Sequence, residues 1–318
     1  MTKIKCSRNS TGPPEFVLLG FQILPRLKPL LFVVFFSIYT VTIASNVLIM
    51  FTVSADEHLH SPMYFFLANL SCLEIWYTTS IVPTMLGGLL METLTVSLSG
   101  CIMQFFVFCW LASTECFLIT VMAYDRYVAI CHPLHYATIM DQRLCLVLAI
   151  SSWVAGFIVA LVTICLLCQL QFPDHREIDH FFCDLMPLTK AACSDPALIE
   201  LEAFVFSFIV LSIPLLLIVF SYVRIISAIL RIQSSTGRYK AFSTCSSHLV
   251  VVVTYFGILI TVYMVPSAAH FLNLNKALSL LYTVGTPVFN PIVYTLRNKK
   301  IRGALRKAFT KELCFQRL

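Results

Sequence analysis

The chain has 318 residues, 58% of them hydrophobic and 12% charged, about half the charged share of an ordinary soluble domain. That balance excludes a water-soluble enzyme or scaffold and places most of the chain in a bilayer. The net charge of +6 comes from bases gathered beside apolar segments, so the partner it suits is the anionic lipid of a membrane leaflet and not nucleic acid.

Residues 1–29 form an N-terminal tail in which Asn9-Ser10-Thr11 is a glycosylation acceptor that works only in the lumen. The apolar run Phe16 to Leu24 lacks a basic-then-apolar signal pattern and a small-residue cleavage site, so the first span is expected to serve as an uncleaved signal anchor. Seven stretches then follow, each long enough to cross about 30 Å of hydrocarbon: Leu30 to Val53, Met63 to Leu89, Cys101 to Ile130, Cys145 to Leu167, Ile199 to Ile229, Ala241 to Val265 and Ala277 to Leu296. Helix is expected in each, because a span in lipid must satisfy its own N–H and C=O groups. The expectation is an all-α membrane protein: one domain, with a seven-helix bundle over 30–296 and a tail over 297–318.

Lys and Arg in the short connections orient such a bundle. The tail from Arg297 carries eight bases and one acid, and Arg231 to Lys240 adds three bases, whereas Cys168 to Asp195 holds five acids against Arg176 and Lys190. The C-terminus is therefore expected in the cytoplasm and the acidic loop outside, although the first 28 residues contain five bases. In the tail, Ile301, Leu305 and Phe309 fall at i, i+4 and i+8 among bases, as in a short amphipathic helix lying on the membrane.

Polar residues inside the spans carry the chemistry, because hydrocarbon penalises them and keeps them mainly where they are paired or functional. Asn46, Glu74, Glu115 and Asn290 can all face one interior. Glu74 and Glu115 cannot comfortably both ionise side by side. Either they share a Na⁺, helped by Asn290 and Thr286, or both are protonated structural groups. No other cofactor is expected. Eleven residues after Glu115, roughly 16 Å along one face, come the adjacent Asp125 and Arg126. Pro291 in Asn290-Pro291-Ile292-Val293-Tyr294 frees a backbone carbonyl and permits a bend. Pro214 and Tyr222 repeat that pattern in the fifth span. No phosphate loop, nucleophile elbow or His-Glu-x-x-His pattern occurs, so catalysis is not expected.

These strings carry a resemblance over nearly the whole chain. Pro62-Met63-Tyr64-Phe65-Phe66-Leu67, Met122-Ala123-Tyr124-Asp125-Arg126-Tyr127, Ser221-Tyr222, Lys240-Ala241-Phe242-Ser243-Thr244-Cys245-Ser246-Ser247-His248 and Pro287 to Tyr294 resemble the tetrapod-type odorant receptors, a branch of the rhodopsin-like G protein-coupled receptors. The resemblance implies a small odorant as ligand and a stimulatory G protein as partner, with cyclic AMP as output. It also implies that Asp125 restrains Arg126 at rest and that Arg126 engages the G protein after outward movement of the sixth span. Tyr127, Tyr222, Lys240, Asn290, Pro291 and Tyr294 complete the implied switch. Cys101 and Cys183 are the pair expected to form a disulfide. A second bridge usual in the family needs a cysteine where Pro173 stands, which leaves Cys193 free or paired with Cys168.

Helical turns counted outward from Arg126 put Phe108, Cys109, Ala112 and Ser113 on the inward face of the third span. Similar counts give Phe206, Ser207 and Val210 in the fifth, Phe256, Leu259 and Tyr263 in the sixth, and Leu280 and Thr283 in the seventh. This apolar lining with few hydroxyls suits a small, mostly apolar ligand oriented by one or two hydrogen bonds. No carboxylate stands at Phe108, where one would indicate an amine. The alternatives are the same architecture sensing a non-olfactory metabolite, and a transporter, which predicts paired broken helices in two repeated halves that this sequence lacks.

Overall fold

The computed structural model describes residues 15–20, 25–91, 93–173, 175–263, 272–297 and 301–303. The helices are α1 (Lys28–Ala55), α2 (Pro62–Leu90), α3 (Leu98–Cys131), the single turn α4 (Tyr136–Ile139), α5 (Gln142–Leu167), the short α6 (Leu185–Ala191), α7 (Ala197–Leu230), α8 (Ser235–Tyr263), α9 (Leu272–Leu280) and α10 (Thr286–Arg297). Six of them, α1, α2, α3, α5, α7 and α8, are long and apolar enough to cross a membrane. The seventh crossing is composite, with a π-helical turn at Leu281–Gly285 between α9 and α10.

Local chemistry sets the helix starts. Proline stands in the first turn of α1 and α2, where its missing N–H would have had no partner anyway. Ser97 caps α3 by accepting from the Gly100 N–H, and Asp141 caps α5 by accepting from the Leu144 N–H at 2.7 Å, each satisfying a donor the helix leaves open. Large apolar residues of α1, α5 and α7, such as Phe51, Ile150 and Phe220, are exposed, as befits faces whose solvent is lipid. Helices α2 and α3 are buried far more and form the centre.

Gly156 lets α5 close on α3. A Cβ there would stand 2.2 Å from Thr114 Oγ1 and 2.8 Å from the Trp110 carbonyl. Around that contact Trp110 Nε1 donates to the Trp153 carbonyl at 3.0 Å, and Trp153 Nε1 donates to Asn69 Oδ1 at 3.2 Å, which joins α2, α3 and α5.

One end of the bundle is closed by a sheet that the all-α expectation lacks. Strand β1 (Glu15–Leu18) is central, antiparallel to β2 (Leu94–Ser97) and parallel to β3 (His175–Ile178), with Glu15 opposite both Ser97 and His175. Part of the expected N-terminal tail is thus a strand with Phe16 fully buried. Its four residues are too few for a period-2 signal to stand out. The Cys101–Cys183 disulfide ties the following loop to α3. Gln104, one turn on, fixes the same loop: its Oε1 accepts from the Cys183 N–H at 3.0 Å, while its Nε2 donates to the Ser80 carbonyl and Thr84 Oγ1. Cys193 is disulfide-bonded and Cys168 is a free thiol, so both expectations for Cys193 fall.

At the other end, residues 301–303 are helical and Ile301 is buried. Asn9, Leu305 and Phe309 lie outside the described residues, as do the side chains of Lys240 and Tyr294.

Candidate ligand cavity and switch

Beneath the sheet, the inward face of α3 meets α5, α7, α8 and the loop at α6 around a cavity of about 110 Å³. Nine of the twelve residues expected there line it: Phe108, Cys109, Ala112, Ser113, Phe206, Ser207, Val210, Leu259 and Tyr263. The wall is nearly all apolar, with hydroxyls from Ser113, Thr163, Ser207 and Tyr263. For scale, an apolar cavity of about 150 Å³ takes up benzene.

Three expected residues stand elsewhere. Phe256 packs edge-on to Tyr255 and lines a groove between α7 and α8. Tyr255 turns inward instead, its hydroxyl donating to the Ala112 carbonyl at 2.9 Å. Thr283 is buried and spends its hydroxyl on the Ser279 carbonyl at 2.7 Å. Neither it nor Leu280 lines the cavity. The π turn explains that failure, since it spaces residues by more than 3.6 per turn and uncouples the face of α9 from that of α10. Sequence counting also omitted Val159 and Thr163 of α5 and Leu185 of α6. Thr163, a polar residue in an apolar span, was the available signal.

The loop over the cavity is polar but buried. Asp184 caps α6 by accepting from the Leu185 N–H at 2.8 Å, and the Tyr263 hydroxyl lies 3.5 Å from the same oxygen and 2.9 Å from that of Tyr282. Burial pushes Asp184 up to about 6, against the pull of those donors. His180 stacks on Phe181 with centroids 4.6 Å apart. Burial and the Lys276 ammonium hold it down to about 3, so it is neutral. Lys276 itself pairs with Asp179 and joins this loop to α9.

Deeper in the bundle, Asn290 Nδ2 donates to Glu74 Oε1 and also lies 3.3 Å from Glu115 Oε1. All three side chains are buried. Glu74 Oε2, Asn290 Oδ1 and Thr286 Oγ1 are buried oxygens without a hydrogen-bond partner. Two neighbouring carboxyls and orphaned oxygens form the all-oxygen donor set that hard cations take, so these residues fit a Na⁺. Nearby, Pro291 has no N–H to offer the Pro287 carbonyl four residues back. Asn46 Nδ2 reaches that carbonyl at 3.5 Å from α1.

At the far end, Asp125 and Arg126 are 2% and 9% exposed, but they do not face each other. Successive helical side chains diverge by about 100°. Asp125 Oδ1 accepts from the Tyr136 hydroxyl of α4 at 2.7 Å, and Arg126 Nη2 points to Met63 Sδ at the start of α2. Among the described residues the one ion pair is Lys276–Asp179, so a direct Asp125–Arg126 latch is replaced by two separate ties. The Tyr127 hydroxyl stays at the end of its own helix, 3.2 Å from His132 Nε2.

A third tie was hidden in the motif that ends at His248. That imidazole is fully buried, its Nε2 3.2 Å from the Ile119 carbonyl and its Nδ1 2.8 Å from the Tyr222 hydroxyl. A carbonyl only accepts, so Nε2 carries the proton and Tyr222 donates to Nδ1. One side chain of α8 thereby holds α3 and α7 together, with Arg126 enclosed beside them.

A family model described as "Olfactory receptor" matches residues 35–312. The chain is 49% identical to human "Olfactory receptor 11A1" over 92% of this chain and 93% of that one. It is 46% identical to human "Olfactory receptor 6X1" over 95% and 97%, and 45% identical to human "Olfactory receptor 2C3" over 96% of each.

Proposed function

The chain belongs to the olfactory receptor family, a multi-pass plasma-membrane receptor for odorants that acts through a G protein and is no enzyme, and from that premise we propose how it works. The cavity beneath the sheet takes a small, mostly apolar ligand. Its apolar lining by the third, fourth, fifth and sixth spans and its four hydroxyls are the observation that carries this reading, since such sites bind by apolar burial and orient by few polar groups. The sheet end faces outside and the Arg126 end faces the cytoplasm, in keeping with the bases of the C-terminal tail and their attraction to anionic lipid.

Ligand binding acts by differential affinity for two helix arrangements. In the arrangement described here Arg126 of α3 is enclosed against Met63 of α2, beside His248 of α8, so this is the resting one. Activation withdraws the inner end of α8 from Ile119 and Tyr222 and presents Arg126 to a stimulatory G protein, which raises cyclic AMP. Asn290 and Pro291 give the seventh span the freedom to follow. A Na⁺ held by Glu74 and Glu115, with Asn290 and Thr286, would offset one carboxylate while the other stays protonated, and would favour rest.

The test is a panel of small volatile compounds against cells carrying the receptor and a cyclic AMP reporter, with Ala112→Phe to fill the cavity. An agonist whose response disappears in Ala112→Phe at equal surface expression supports the site. An agonist equally potent on both would overturn it.

A further inference from the structure

Glu202 is the charged residue that the ligand reading leaves unused. It stands on α7 one turn before Phe206 and on the same face, with Ala203, Phe206, Ser207 and Val210 of that face lining the cavity. Its Oε1 accepts from Thr163 Oγ1 at 2.8 Å, and Thr163 is itself a cavity residue. Its Oε2 is buried and has no hydrogen-bond partner. The carboxylate also acts electrostatically on Cys109, a cavity residue of α3, as does that of Asp184. Glu202 is in no ion pair among the described residues.

Glu202 is half-buried and its Oε1 is satisfied by Thr163, but its Oε2 is shielded from solvent with no hydrogen-bond partner; a polar oxygen left so is destabilising, and a cation that also donates a hydrogen bond is what best offsets this. The residues that line the cavity, which Glu202 adjoins through Thr163, do not provide one: they are hydroxyls, two thiols and hydrocarbon. The charge absent at Phe108 is thus supplied from the fifth span.

Building on the cavity assigned above, we propose that Glu202 is its ligand anchor, accepting at Oε2 from the ammonium of a small amine whose apolar body lies between Phe108 and Phe206. Specificity then rests on charge at one end and on apolar fit along the rest.

Cys109 reports on this directly, without a known odorant. Purified receptor in lipid nanodiscs is treated with two methanethiosulfonates, aminoethyl (cationic) and ethyl (neutral), and the labelling rate of the Cys109 peptide is followed by mass spectrometry. The ratio of the two rates cancels the reactivity of the thiol and leaves the preference of the site for an ammonium. That ratio is expected to be about tenfold higher in wild type than in Glu202→Gln, and to persist in Glu202→Asp, which keeps the charge. The Cys101–Cys183 peptide in the same digest verifies folding. A ratio unchanged by Glu202→Gln would overturn the proposal, as would a Cys109 that neither reagent reaches. Neither result touches the signalling assay, so failure of the anchor is distinct from failure of the cavity.

Discussion

Replacing His248 by Phe keeps the ring stacked on Tyr222, whose centroid lies 5.8 Å away, and deletes the bonds to Ile119 and Tyr222. Each buried hydrogen bond contributes about 1 kcal/mol net, and both belong to the arrangement that encloses Arg126. Their loss therefore disfavours rest by about 2 kcal/mol, roughly a thirtyfold shift of a two-state equilibrium. A receptor about 1% active without ligand becomes about 20% active. The assay is agonist-free cyclic AMP in cells, normalised to surface receptor, for wild type and His248→Phe. Basal signalling equal to or below wild type at matched surface level would refute the reasoning, because the ties would then not belong to the resting state alone.

Gly156→Ala forces a methyl into the Thr114 and Trp110 backbone, and overpacking of this kind costs about 1–3 kcal/mol; a lower melting temperature in detergent is expected, only partly restored by Thr114→Ala, which leaves the backbone contacts in place. The buried loop groups titrate in opposite senses. His180 is held down to about 3, so its stabilisation is full above its unfolded value near 6.5 and is lost as pH falls. Asp184 is pushed up to about 6, so its burden is relieved as pH falls from about 6 towards 4. Between pH 7 and pH 5 these are worth about 2 kcal/mol lost and about 1 kcal/mol gained: Asp184→Asn should lose thermal stability on acidification, and His180→Phe should gain it. If a Na⁺ stabilises rest, replacing Na⁺ by choline raises basal signalling in wild type and not in Glu115→Gln; equal responses in both would remove the ion.

The spans were legible in the sequence to within a few residues of most helix ends, because apolar length and the self-satisfied backbone leave a lipid-embedded chain little choice. The third-span lining was legible for the same reason: α3 is regular from Leu98 to Cys131, so counting turns from Arg126 stays in phase. The seventh span breaks that phase at Leu281–Gly285, and Leu280 and Thr283 were misplaced accordingly. The strand Glu15–Leu18 pairs with segments far away in the chain, which no local pattern announces. Adjacency suggested a direct Asp125–Arg126 ion pair, which does not form because the two side chains are taken by Tyr136 and Met63, partners that lie on other elements. Glu202 was passed over because its significance lies in an empty hydrogen-bonding position, a property of packing rather than of spacing.

The central claim is that a ligand-driven helix rearrangement passes through Arg126, and the most direct measurement is cyclic AMP signalling by Arg126→Ala at wild-type surface density, with any agonist from the volatile panel. Complete loss of the response, with the Cys101–Cys183 disulfide and surface expression intact, is the predicted result. A response of wild-type size from Arg126→Ala would contradict the account.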